Sequence, residues 1–136
     1  YRMNSIDSIN GMTHTEATKL RRARVRTTTT FLQIASTRSG RALLTKETGI
    51  NSPKLLHWAR RAELMQIKNL GRDYADLLEA AGVESVSELK RRNPESLHEM
   101  MQKINDKKNI VDRMPSLKRV SKWVADSTDM EIKVSS

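Results

Sequence analysis

Residues Leu64–Leu89, LMQIKNLGRDYADLLEAAGVESVSEL, decide how this chain folds. Tyr74, Ala75, Leu78 and Ala81 recur at helical spacing and form one apolar face. Gly82 follows them, where a helix closes in the left-handed conformation. Asn69-Leu70-Gly71 precedes them, and Asn and Gly are the residues that best tolerate left-handed backbone. The stretch reads as a helix, a tight turn at Asn69–Gly71 and a second helix over about 72–81. Ser85-Val86-Ser87-Glu88 is a capping box that opens one more helix, to about Arg92.

The same pattern recurs upstream at an offset of 58 (67 − 9), which pairs Ile9 with Ile67, Gly11 with Asn69, Met12 with Leu70 and Ala17 with Ala75. Leu20, Ala23, Val25, Thr27 and Phe31 continue the series against Leu78, Ala81, Val83, Ser85 and Leu89. Matches this numerous at one offset imply two copies of one unit. The first copy lacks two glycines of the second. Thr13 stands opposite Gly71, where Thr13-His14-Thr15-Glu16 supplies a capping box but also a Cβ. Arg24 stands opposite Gly82, so this helix end carries either strain or a few more helical residues.

Working outward, Ile6 and Ile9 begin a short first helix, and Gly11-Met12-Thr13 is the first turn. A helix over about 14–23 runs into Arg21, Arg22, Arg24 and Arg26, and Thr27 caps another through Ala35. Ser36 to Gly40 reads as a turn, a helix from Arg41 ends at Gly49, and Pro53 begins the next, to Ala62. Leu55, Trp58, Ala59 and Ala62 form its apolar stripe, with Lys54, His57 and Arg61 on the other side. That pair fits either a packed helical hairpin or a groove-reading helix-turn-helix. After the second copy, Pro94 starts a helix with Leu97, Met100, Met101 and Ile104 inward. A connection over 105–109 leads to a short helix near Ile110. Pro115 opens a last helix that buries Leu117, Val120, Trp123 and Val124 and turns Lys118, Arg119 and Lys122 outward. The polar stretch 127–136 is expected to be loose or to dock on a partner.

Composition narrows the function classes. Of 136 residues, 25 are Lys or Arg and 16 Asp or Glu, a net charge of +9. Residues 1–62 hold 12 basic against 3 acidic side chains and residues 63–136 hold 13 against 13, so the excess lies in the first half. That asymmetry points to a polyanionic partner, with a solvated basic surface as the alternative. No apolar run approaches the roughly 18 residues that span a bilayer, and no secretory signal is visible. With no Cys there is neither a disulfide framework nor a thiolate metal site. We expect an intracellular location, in the cytoplasm or an organelle interior. The chain opens on Tyr1 rather than Met, which fits a leader either removed or lying outside the given sequence.

Catalytic patterns are missing. His14, His57 and His98 stand far apart, without zinc-ligand spacing. The five Gly form neither GxxxxGK[ST] nor GxGxxG. Asp73, Asp76 and Glu79 read as a solvated helix face. The expectation is a protein that is not an enzyme and has no cofactor, no metal and no small-molecule substrate.

RAELMQIKNLGRDYADLLEAAGVESVSELKRRNPESLHEMMQKIN and GRALLTKETGINSPKLLHWARRAEL carry a resemblance. Over about 6–125 the chain is similar to a bacterial and organellar family known as a domain of unknown function and built of tandem helix-hairpin-helix units. Such a unit has an apolar residue, Gly-apolar-Gly and then Ala, which Ile67, Asn69-Leu70-Gly71 and Ala75 match with one substitution. The resemblance implies an all-α fold, two tandem helix-hairpin-helix units with intervening and C-terminal helices forming a compact helical domain. Its expected parts are a basic half over 1–62, a second unit over 63–126 and a tail over 127–136. It also implies a turn whose backbone N–H groups face a phosphate. The expected nucleic-acid-binding residues are Lys68, Asn69, Leu70, Gly71 and Arg72 at the second turn, Gly11 and Thr13 at the weaker first, and Arg21, Arg22, Arg24 and Arg26 as added charge. The expected function is non-catalytic contact with a nucleic-acid backbone, DNA or RNA, without sequence specificity. The alternative is a docking subunit that uses the repeats as a scaffold in a larger protein assembly.

Overall fold

A computed structural model describes residues 4–136, which form eight α-helices and no strand. Two compact units divide them: one runs to Glu63 and includes Ile132–Ser136, the other is Leu64–Glu131. No helix among the described residues is long and apolar enough to cross a membrane.

The first unit opens on a 3-10 turn, Ile6–Ser8, followed by α1 (His14–Arg22), α2 (Thr28–Ala35), α3 (Arg38–Thr48) and α4 (Ser52–Leu64). Thr13, Thr27 and Thr37 cap α1, α2 and α3, each side chain accepting an N–H of the first turn. Ile6, Ile9, Leu20, Val25, Phe31, Leu44, Leu55 and Trp58 are buried. The second unit holds α5 (Gly71–Ala80), α6 (Val86–Lys90), α7 (Pro94–Lys108) and α8 (Leu117–Thr128). Ser85, Asn93 and Ser116 cap α6, α7 and α8. Leu70, Leu77, Leu78, Val83, Leu89, Leu97, Met101, Val120 and Trp123 lie in one apolar cluster.

Each unit contains the same set of backbone hydrogen bonds, at the offset seen in sequence. The Met12 N–H donates to the Ile9 carbonyl at 3.3 Å, and that of Leu70 to Ile67 at 3.2 Å. Val25 donates to Leu20 at 2.9 Å and Val83 to Leu78 at 2.8 Å, while Arg24 donates to Arg21 at 3.0 Å and Gly82 to Glu79 at 2.9 Å. These two bonds close each helix through a left-handed residue. Arg24 has φ +68° and Gly82 +91°, so Arg24 takes the strain rather than extending the helix. Arg24→Gly is therefore expected to stabilise the protein by about 1 kcal/mol, read as a higher urea midpoint at unchanged slope. An unchanged or lower midpoint would refute the strain.

Several expected details are corrected. α3 begins at Arg38, not Arg41, because the Thr37 hydroxyl accepts the Gly40 N–H at 3.0 Å and starts the helix early. Arg61 is buried at 4% exposure and does not share an outer face with Lys54, which removes the basic groove-reading helix. Met100 and Leu117 are exposed, at 45% and 40%, rather than inward. α7 continues to Lys108 and is closed by left-handed Asn109, so no helix forms at Ile110. The stretch 127–136 is not loose: α8 continues to Thr128, and the Lys133 and Ser135 N–H groups donate to Glu63 Oε2 and the Ser36 carbonyl, both at 2.9 Å.

Candidate nucleic-acid interface

The second turn is built for exposed amides. Asn69 and Gly71 are left-handed, at φ +65° and +70°, with Leu70 between them pointing into the core. Leu70 occupies the cap position of α5 and makes no side-chain cap bond. The N–H groups of Gly71, Arg72 and Asp73 have no intrahelical acceptor by helix geometry, and all three residues are exposed. A Cβ built on Gly71 meets nothing within 4 Å, so an anion's oxygen has room to approach. The positive end of the helix dipole favours such an anion. The Leu70 N–H is already engaged by Ile67, so Leu70 contributes the turn and not a donor.

Further charge at this turn comes from α8, which is distant from it in sequence. Lys68 and Asn69 line a groove of about 570 Å³ together with Ser116, Lys118, Arg119, Ser121, Lys122 and Trp123. Arg119 lies 5.9 Å from the centroid of the Tyr74 ring, which stacks at a tilt on Trp123 with centroids 5.4 Å apart. The ring attracts the guanidinium, which lines the same groove as Lys68 and Asn69. Lys122 is paired with Asp126 at 2.9 Å, and this hydrogen bond raises its pKa and keeps it charged. The buried indole N–H of Trp123 has no hydrogen-bond partner among the described residues. On the other flank, Gly71, Arg72 and Tyr74 border a recess of about 460 Å³ with Asp112 and Arg113. The Tyr74 hydroxyl there donates to the Arg113 carbonyl at 2.9 Å. The sequence signal for Lys118, Arg119 and Lys122 was their outward spacing; their nearness to a turn far earlier in the chain was not readable.

The first turn is arranged differently. Gly11 is left-handed and exposed, at φ +93°. The Thr13 N–H donates to Glu16 Oε1 at 3.0 Å and its hydroxyl accepts the Glu16 N–H at 3.1 Å, so the capping box closes the helix start. Burial alone would raise the Glu16 carboxyl, but hydrogen bonds from Lys54, at 2.7 Å, and from Thr13 overcome this and hold its pKa below the ordinary range. An internal carboxylate thus bonds at the start of α1, whereas no side-chain cap bond forms at the start of α5. Arg21 turns back on its own lead-in and pairs with Asp7 at 3.1 Å. The Ser5 hydroxyl and Arg21 together lower the Asp7 pKa. Arg22, Arg24 and Arg26 are exposed.

Among the described residues no three His, Asp or Glu side chains converge as metal ligands would. A family model described as a domain of unknown function, DUF4332, matches residues 10–130. Searches of curated proteins and of solved structures give no match.

Proposed function

The chain belongs to the DUF4332 family, and from that premise we propose that it is a non-catalytic module that grips the phosphate backbone of a nucleic acid. In this reading each unit is a helix-hairpin-helix, the second intact and the first worn. The recurring backbone bonds around Met12 and Leu70, and around Val25 and Val83, support the duplication. The observation that carries the function is the uncapped, exposed start of α5 with Lys68, Lys118 and Arg119 around it. Phosphate oxygens would accept from the amides at Gly71 and Arg72, and the cations would hold flanking phosphates. Base edges play no part, so binding is indifferent to sequence.

A second reading, a docking subunit of a protein assembly, is favoured by the closed first turn and by exposed Leu43, at 52%, and Met100. Fluorescence anisotropy with a short labelled duplex at two salt concentrations separates the two. Phosphate contact gives low-salt binding that weakens by about tenfold or more from 50 to 200 mM salt, on the scale of two or three displaced counterions. No binding at low salt would discard the phosphate reading and leave the docking one.

A further inference from the structure

The first unit contains another cationic cluster, outside Arg21–Arg26, in which exposed Arg38 and half-buried Arg60 flank a buried arginine. Arg41 on α3 is only 2% exposed. Its guanidinium donates to the Ala35 carbonyl at 2.8 Å and to the Ser135 carbonyl at 2.6 Å. Both of these acceptors are neutral oxygens. Arg38, three residues earlier, donates to Ser136 O at 3.3 Å, and Arg60 on α4 reaches Ser136 Oγ at 3.4 Å. Burial first, then the charges of Arg38 and Arg60, lowers the Arg41 pKa, while Ser136 O, the acceptor of Arg38, is a carboxylate oxygen in the chain as given. A buried charge is ordinarily compensated by an opposite one.

We propose that Arg38, Arg41 and Arg60 form a binding site for a phosphate group entering from outside the chain, and that the segment through Ser135 and Ser136 holds its place. Three planar guanidinium forks from two helices suit a tetrahedral oxyanion, whose several oxygens can each accept a charge-assisted bond. The covering segment is held mainly by polar bonds. The Lys133 N–H donates to Glu63 and the Ser135 N–H to the Ser36 carbonyl, while Ile132 stays 39% exposed and Val134 is half-buried. Segments with so little apolar burial open at low free-energy cost. The inference stands on the first unit alone and does not rest on phosphate contact at the second turn.

Two variants of the full chain test it with inorganic tripolyphosphate as the probe. Ser135→Pro removes the N–H and the hydroxyl that tie the segment to the Ser36 carbonyl, and it leaves all three arginines and the position-135 carbonyl that accepts from Arg41 in place. By titration calorimetry it should bind tripolyphosphate about fivefold more tightly than the parent, because the open state no longer has to compete with the segment. Adding Arg38→Ala and Arg60→Ala to that variant should weaken binding by about tenfold. The chain has no Cys, so Ile132→Cys offers a unique nitroxide position on the segment. The label should change from restricted to mobile on adding tripolyphosphate and stay restricted in sodium chloride of equal ionic strength. A parallel response to a short oligonucleotide would assign the phosphate to a nucleic-acid backbone, and a response to tripolyphosphate alone to a small polyphosphate; both support the site. Equal affinity of parent and Ser135→Pro, no weakening with the arginine changes, or a label that responds equally to chloride would overturn it.

Discussion

Reversing three cations around the second turn, Lys68→Glu with Lys118→Glu and Arg119→Glu, is expected to lower affinity for a short duplex by about a hundredfold at low salt. All three side chains are exposed, and none forms an ion pair among the described residues, so the fold should be retained. The salt slope should also fall by about 0.9 for every phosphate no longer neutralised, which separates a weakened interface from general unfolding. Lys122→Glu alone should do less, because Asp126 at 2.9 Å already neutralises that charge. Arg22→Glu with Arg26→Glu examines the first unit in the same way. Wild-type affinity and slope in the triple variant would remove the groove from the interface. Circular dichroism of each variant provides the check on folding.

Gly40→Ala is expected to destabilise the protein by about 3 kcal/mol or more, despite placing a better helix former inside a helix. Propensity alone would favour Ala by about 1 kcal/mol. Sterics reverse the sign. A Cβ at Gly40 would lie 1.7 Å from the Ile34 carbonyl oxygen and 2.8 Å from its carbon, both backbone atoms, and 3.1 Å from Thr37 Oγ1. Backbone cannot rotate away as a flexible side chain can, so α2 and α3 must separate. Urea denaturation should show a much lower midpoint, whereas a midpoint equal to wild type would deny the close approach. Arg38 and Arg41 sit on the same helix, so the variant should also loosen the segment over Ser135 and Ser136.

What could be read from sequence followed from local chemistry. Thr13, Thr27 and Ser85 announced their helices because a cap needs only a short polar side chain and the next three residues. Leu55, Trp58, Ala59 and Ala62 announced a buried stripe through their spacing, and all four are buried. Arg61 broke the same reasoning, since periodicity assigns a charged residue outward and is blind to a buried position that accepts one. The left-handed Asn69 and Gly71 were legible, because few other residues take that backbone without strain. Arg24 was legible only as a choice between strain and extension; the Val25 to Leu20 bond decides for strain.

The site itself was half legible. Its turn is a local object, whereas the α8 side of the groove and the cluster of Arg38, Arg41 and Arg60 join residues distant in sequence. Charge counting alone is too coarse to locate a site. It placed the positive excess in the first half, where Glu16 fills the helix start and Asp7 holds Arg21. The balanced second half concentrates its cations locally around an uncapped helix. Net charge summed over half a chain does not report the field within a Debye length of one turn.

The central claim is that backbone N–H groups at the start of α5 hold a phosphate. Titrating nitrogen-15-labelled protein with an unlabelled duplex and following each backbone amide tests it most directly. The largest shifts are expected at Asn69, Gly71, Arg72 and Asp73, accompanied by Lys118 and Arg119, with Gly11 and Thr13 little changed. Unshifted amides at Gly71 and Arg72 under conditions where the duplex is bound would contradict it.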